Sequence, residues 1–123
     1  MGRKRVLLID DYEAFANSLR IALMDAHDVV VASSGEQALQ VLESQRFDVV
    51  LCDLMMPQLS GVELHQRIAE QWPGLERRMI FMTGGSFTAE ANEFLREVDN
   101  PRLDKPFPVD QLRAMLDAVP EAP

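Results

Sequence analysis

Short apolar runs that stop at a chemically reactive residue dominate this sequence. Val6-Leu7-Leu8-Ile9 runs into Asp10-Asp11, Val49-Val50-Leu51-Cys52 into Asp53, and Met79-Ile80-Phe81-Met82 into Thr83; a shorter, mixed stretch, Arg102-Leu103-Asp104, leads into Lys105-Pro106. Mostly continuous runs suit strands of a parallel sheet covered on both faces; a sheet with one wet face shows alternation instead. If the runs are parallel strands, their carboxyl ends share one edge. Three carboxylates, a hydroxyl and an ammonium then converge in one crevice, at the edge where open α/β sheets bind ligands.

The segments between the runs carry helical spacing. Tyr12 to Ala26 places Phe15, Leu19, Ala22, Leu23 and Ala26 on one face. His27-Asp28 breaks that helix before a second strand, Val29-Val30-Val31. Ser33 and Glu36 stand at capping-box spacing for a helix through Ala38, Leu39 and Leu42. Ser60 can cap a helix from Val62 to Trp72, which Pro73-Gly74 stops. Gly84-Gly85 gives a turn, Phe87 to Val98 reads as a helix, and Pro108 to Val119 is a last helix with Val109, Leu112, Leu116 and Val119 inward. With strands at Arg5–Asp10, Phe47–Asp53, Arg78–Thr83 and Arg102–Asp104, the expectation is five strands alternating with five helices. Right-handed crossovers make that a doubly wound α/β fold. A chain of 123 residues suits one domain, residues 1–123 with a core over about 4–119.

Composition narrows the function. Twelve basic against twenty acidic residues leave a net charge of −8, which argues against direct nucleic-acid binding, since phosphates want a basic face. The one cysteine, Cys52, lies inside an apolar run and reads as a core residue; no intrachain disulfide forms, and a cytoplasmic setting is expected. No apolar stretch approaches the ~20 residues of a membrane span. The basic Met1-Gly2-Arg3-Lys4-Arg5 precedes too short an apolar run for a secretory signal and reads as a polar lead-in. Met55, Met56, Met79 and Met82 read as core and loop filling, and Trp72 as packing at a helix end. Neither His27 nor His65 has a sequence neighbour that suggests a ligand or a phosphohistidine.

The chemistry rests on the acids. A lone Asp after a strand is usually a helix cap, but Asp10 and Asp11 beside Asp53 form an electrostatic problem, because like charges disfavour one another's ionisation. A hard divalent cation resolves it. Mg2+ takes oxygen ligands and keeps several waters, so one or two carboxylates suffice. Lys105 can pair with Asp53 and hold phosphoryl oxygens as a point charge, and Thr83 supplies a small donor. A carboxylate in such a setting can act as a nucleophile toward phosphorus.

On these residues the chain resembles response-regulator receiver domains over essentially its whole length. The matching features are Asp10-Asp11, Asp53 in Cys-Asp-Leu-Met-Met-Pro, Gly61 after Ser60, Thr83, and Lys105-Pro106-Phe107. The resemblance implies a flavodoxin-like sheet of strand order 2-1-3-4-5. It implies that Asp53 accepts a phosphoryl group from the phosphohistidine of a histidine kinase or histidine phosphotransfer protein. Asp11 and Asp53, with the backbone carbonyl of Met55, would ligate Mg2+ (or Mn2+), and Asp10 would act mainly through water. Thr83 and Lys105 would each meet a phosphoryl oxygen, and the Lys105–Pro106 peptide would be cis. Such a domain signals rather than turns over an external substrate.

One position departs from the family. Three residues before the lysine, where many receivers carry Tyr or Phe as a switch partner for the threonine, this chain has Arg102, expected to be an exposed, solvated side chain. The segments 81–85 and 100–107 resemble receivers of hybrid histidine kinases. No DNA-binding appendage is read after Pro120, so an isolated receiver, or one from a kinase, is expected before a transcription factor. Two other classes compete. A degenerate receiver would bind partners without phosphorylation, but the acid set is complete. A flavin protein or an aspartyl phosphatase on the same fold is disfavoured: Asp10-Asp11-Tyr12-Glu13 would repel a flavin phosphate, and Met55 stands where a phosphatase commonly carries its second Asp.

Overall fold

The computed structural model describes residues 2–84 and 88–120. The elements run β1 (Arg5–Ile9), α1 (Glu13–Leu23), β2 (Asp28–Ala32), α2 (Gly35–Ser44), β3 (Val49–Asp53), α3 (Gly61–Gln71), β4 (Met79–Thr83), α4 (Ala89–Glu97), β5 (Arg102–Asp104) and α5 (Val109–Ala118), with a short 3-10 turn at Leu75–Arg78. The five strands form one sheet in the order β2-β1-β3-β4-β5, and every pairing is parallel. This is the expected doubly wound arrangement.

Strand alternation divides the core into two layers. Leu7, Ile9, Val50, Cys52, Met79 and Phe81 face α2, α3 and α4 through Ala38, Leu42, Leu64, Ile68 and Ala91. Val6, Leu8, Val49, Leu51, Ile80, Met82 and Leu103 face α1 and α5 through Ala16, Leu19, Leu23, Leu112 and Leu116. The central strands β3 and β4 are buried at every position. That explains why their sequences are unbroken apolar runs. Cys52 is fully buried, and burial followed by the charges of Asp53 and Asp10 pushes its thiol above its ordinary range, so it is a core residue as expected.

The element boundaries differ from the sequence expectation in places, each with a local cause. α1 stops at Leu23 rather than Ala26, because the Arg3 guanidinium donates to the carbonyls of Met24, Asp25 and His27 and ends the helix from a distance of more than twenty residues. The N-cap of α2 is Ser34, one residue after the expected Ser33: its hydroxyl accepts from Gln37 N, while Gln37 Oε1 accepts from Ser33 N. β3 starts at Val49 rather than Phe47; Asp48 instead accepts from Arg5 N at 2.8 Å, and Phe47 lies beneath the Arg5 guanidinium. β4 begins one residue after Arg78, which belongs to the 3-10 turn. Ser60 and Glu63 do make a capping box for α3, and Trp72 caps its other end half-buried against the core. Thr88 caps α4; the expected start of that helix at Phe87, and Gly85 of the expected turn, lie outside the described residues.

Candidate functional site

Parallel pairing brings the ends of β1, β3, β4 and β5 to one edge, and with them Asp10, Asp11, Asp53, Thr83 and Lys105. Asp10 is fully buried just past β1. Its Oδ1 accepts from Tyr12 N at 2.9 Å, and its Oδ2 accepts from Lys105 Nζ at 2.7 Å. Asp10 therefore makes the local turn contact expected of a lone Asp, but it does not cap α1, whose N-cap residue is Tyr12 and has no side-chain cap bond. Asp11 is exposed beside it.

Asp53 ends β3 and is 8% exposed. Its Oδ1 accepts from Met55 N at 3.2 Å. Two features of the following loop hold this end in place. Gln58 takes a left-handed conformation with φ 67°, and Gly61 N donates to Leu54 O at 2.9 Å. A Cβ on Gly61 would lie 2.8 Å from Leu54 Cα and 3.0 Å from Asp53 O, so only glycine allows α3 to start this close to the phosphoacceptor candidate.

One oxygen from each of Asp10, Asp11 and Asp53 lies within 4.8 Å of the others. The electrostatics follow. Burial pushes the Asp53 carboxyl from its ordinary 3.8 up to about 6; Lys105 and the Met55 N–H pull it down, and the charges of Asp10 and Asp11 push it further up. A carboxylate set this crowded is short of positive charge. Its all-oxygen chemistry suits a hard divalent cation.

The lysine makes the expected pair with Asp53 and a closer one with Asp10. Lys105 Nζ is 2.7 Å from Asp10 Oδ2 but 3.7 Å from Asp53 Oδ2, so its close partner is Asp10 and its contact with Asp53 is looser. The ammonium also lies over the Phe15 ring, 4.3 Å from its centre, and Phe15 in turn meets Phe107 edge-on. The Lys105–Pro106 peptide is cis, as expected. Thr83 is buried at the end of β4, and its hydroxyl donates to Asp104 Oδ1 at 2.6 Å. Arg102 is exposed on β5, as expected. Sequence reasoning missed Phe15 as the platform for Lys105 and Asp104 as the partner of Thr83; the helical spacing of Phe15 signalled only a core position.

A family model described as the response regulator receiver domain matches residues 6–117. The chain belongs to that family. As a receiver it is 39% identical over 119 residues to the virulence sensor protein BvgS of Bordetella pertussis, with 91% of the chain covered, and 31% identical over 113 residues to the transcriptional regulatory protein DltR of Streptococcus agalactiae, again covering 91%. It spans 50% of DltR and 10% of BvgS. Among solved structures it resembles the receiver domain of the sensor histidine kinase PA1611 of Pseudomonas aeruginosa, with a TM-score of 0.82 and 26% identity, covering 96% of this chain and 98% of that one. That structure has a magnesium ion coordinated in its active-site cleft. This receiver is therefore a signalling domain of two-component systems. Among the described residues, no helix is long and apolar enough to cross a membrane.

Proposed function

We propose that Asp53 is the phosphoacceptor of this receiver and that a phosphohistidine, on a histidine kinase or a histidine phosphotransfer protein, is its donor. The observation that carries the reading is the placement of Asp53: a nearly buried carboxylate at the open edge of the sheet, 3.7 Å from the Lys105 ammonium and with an oxygen within 4.8 Å of oxygens of two further acids. The ionised carboxylate is the nucleophile toward phosphorus, and the Lys105 ammonium, the Met55 N–H and a bound cation all favour that form. An oxygen of Asp53 forms the new bond to phosphorus as the bond to the imidazole nitrogen breaks, and the electron pair of that bond returns to the donor's histidine.

The cation in this reading is Mg2+ (or Mn2+), held by Asp11, Asp53 and the Met55 carbonyl, with Asp10 acting mainly through water. It would supply charge neutralisation at the phosphoryl oxygens. Lys105, fixed by Asp10 and Phe15, keeps an ammonium close enough to pair with an oxygen of the transferred group. Thr83, whose hydroxyl donates to Asp104 before transfer, would turn to donate to another oxygen of that group. Asp10, buried and bonded to Lys105, holds the lysine in place and adds to the negative charge that recruits the cation. The receiver unit, residues 1–123 with a core over about 4–119, would work in the cytoplasm without direct nucleic-acid contact.

Acetyl phosphate with Mg2+ tests the assignment. Intact-mass measurement is expected to show one added phosphoryl group on the native chain and none on Asp53→Ala. Equal labelling of the two proteins rejects Asp53.

A further inference from the structure

Thr83 has one hydroxyl proton, and in this structure that proton is already committed. β4 and β5 pair in parallel with Thr83 opposite Asp104, and the Thr83 hydroxyl donates to Asp104 Oδ1 at 2.6 Å. Alternation fixes which side of the sheet this happens on. Phe81 packs into the layer beneath α3 and α4, and Thr83, two residues on, follows it; Leu103 is buried in the opposite layer, so its neighbours Arg102 and Asp104 share the Phe81 side. A backbone bond from Lys105 N to Thr83 O at 2.7 Å closes the strand ends around the pair. The acceptor is a carboxylate, which makes the bond stronger than one to a neutral oxygen. A hydroxyl donates once, so Thr83 cannot hold Asp104 and a phosphoryl oxygen at the same time.

We propose that Asp104 is a positioning residue that holds the Thr83 hydroxyl away from the site, so that phosphorylation must break the Thr83–Asp104 hydrogen bond and set the Asp104 carboxylate free on the β5 edge. The inference rests on the reading of Asp53 as phosphoacceptor. It gives this receiver a polar coupling between site and surface at β5, the strand where Arg102 replaces the switch aromatic. The freed carboxylate lies two residues from the exposed Arg102, on the same side of the edge strand, so the event releases a hydrogen-bond acceptor beside that arginine.

Two measurements test it. The first uses the unphosphorylated protein: three-bond couplings to the Thr83 γ-methyl are expected to report one side-chain rotamer in the native chain and an averaged value in Asp104→Ala. An unchanged rotamer overturns the proposal. The second uses beryllofluoride with Mg2+ as the phosphoryl mimic. Asp104→Ala is expected to bind it about three- to tenfold more tightly, the range of one net hydrogen bond, and Asp104→Asn, which keeps a neutral acceptor, by less. In a Thr83→Val background the same Asp104 substitutions are expected to have no effect. An equal gain in both backgrounds overturns the proposal, because simple repulsion between Asp104 and the anion does not need the hydroxyl. Failure of every variant to take up beryllofluoride would sink the reading of Asp53 instead, and the rotamer measurement still decides on Asp104.

Discussion

Lys105 reaches Asp10 at 2.7 Å and Asp53 at only 3.7 Å, and burial explains why the closer pair matters more to the fold. Asp10 is fully buried, so its charge needs a partner inside the protein, and removing the partner of a buried charge costs far more than removing an exposed one. Lys105→Met is therefore expected to destabilise the metal-free protein by about 3 kcal/mol, the lower end for a broken buried pair because the lysine itself is partly exposed, read from urea unfolding. In double-mutant cycles the coupling of Lys105 with Asp10 is expected to exceed its coupling with Asp53. The reverse order would show that the looser contact dominates. At this scale the site residues themselves were legible, because Asp10, Asp53 and Thr83 each follow an apolar run and Lys105 follows the short stretch Arg102-Leu103-Asp104 ahead of a proline. Their pairings were not. Which acid Lys105 chooses depends on the route of its side chain over Phe15, and the bond from Thr83 to Asp104 depends on the register of a three-residue strand.

At the scale of elements, the close approach of α3 to the end of β3 ties the fold to the site. Ser60 and Glu63 cap α3 reciprocally, which fixes where the helix begins, and Gly61 then lies against the backbone of Asp53 and Leu54. Both obstructing atoms nearest a new Cβ belong to backbone, so the contact cannot relax by a rotamer change. Gly61→Ala is expected to cost about 1–3 kcal/mol in urea unfolding, as overpacking does, and to weaken Mg2+ binding by moving Asp53. A variant of native stability and native Mg2+ affinity would show that α3 does not set the position of Asp53. Periodicity made the helices readable, and the Ser60 cap with it. What periodicity does not contain is the long-range ending of α1 by Arg3, the one-residue shift of the α2 cap, or the 3-10 turn at Leu75–Arg78, all of which depend on contacts between residues or on backbone geometry that no apolar spacing encodes.

Across the whole molecule, the two ends of the sheet respond to pH in opposite senses. At the carboxyl edge, the folded state raises Asp53 from 3.8 to about 6, so between those values the folded chain binds more protons than the unfolded one and stability falls as pH rises. At the opposite edge His27 is buried, and its Nδ1 accepts from Lys4 N; burial and then the Lys4 charge lower its pKa from 6.5. Burial also lowers His65, which lies against Phe94 and Phe81. The histidine contribution is thus present above 6.5 and is lost as pH falls through the lowered folded values. In metal-free protein the two effects oppose one another, and the profile of melting temperature between about pH 5 and pH 7 is expected to be shallow. A divalent cation at the acid cluster removes the Asp53 penalty and binds best once Asp53 is ionised, so Mg2+ is expected to stabilise mainly above about pH 6, by about 1.4 kcal/mol at tenfold excess over its Kd, and to steepen the profile. Asp53→Asn is expected to abolish this Mg2+-dependent steepening, and His27→Gln to reduce the histidine slope with or without the cation. Equal stabilisation by Mg2+ at about pH 5 and pH 7, or its full persistence in Asp53→Asn, would mean that the ion acts on the diffuse net charge of −8 rather than at the strand ends.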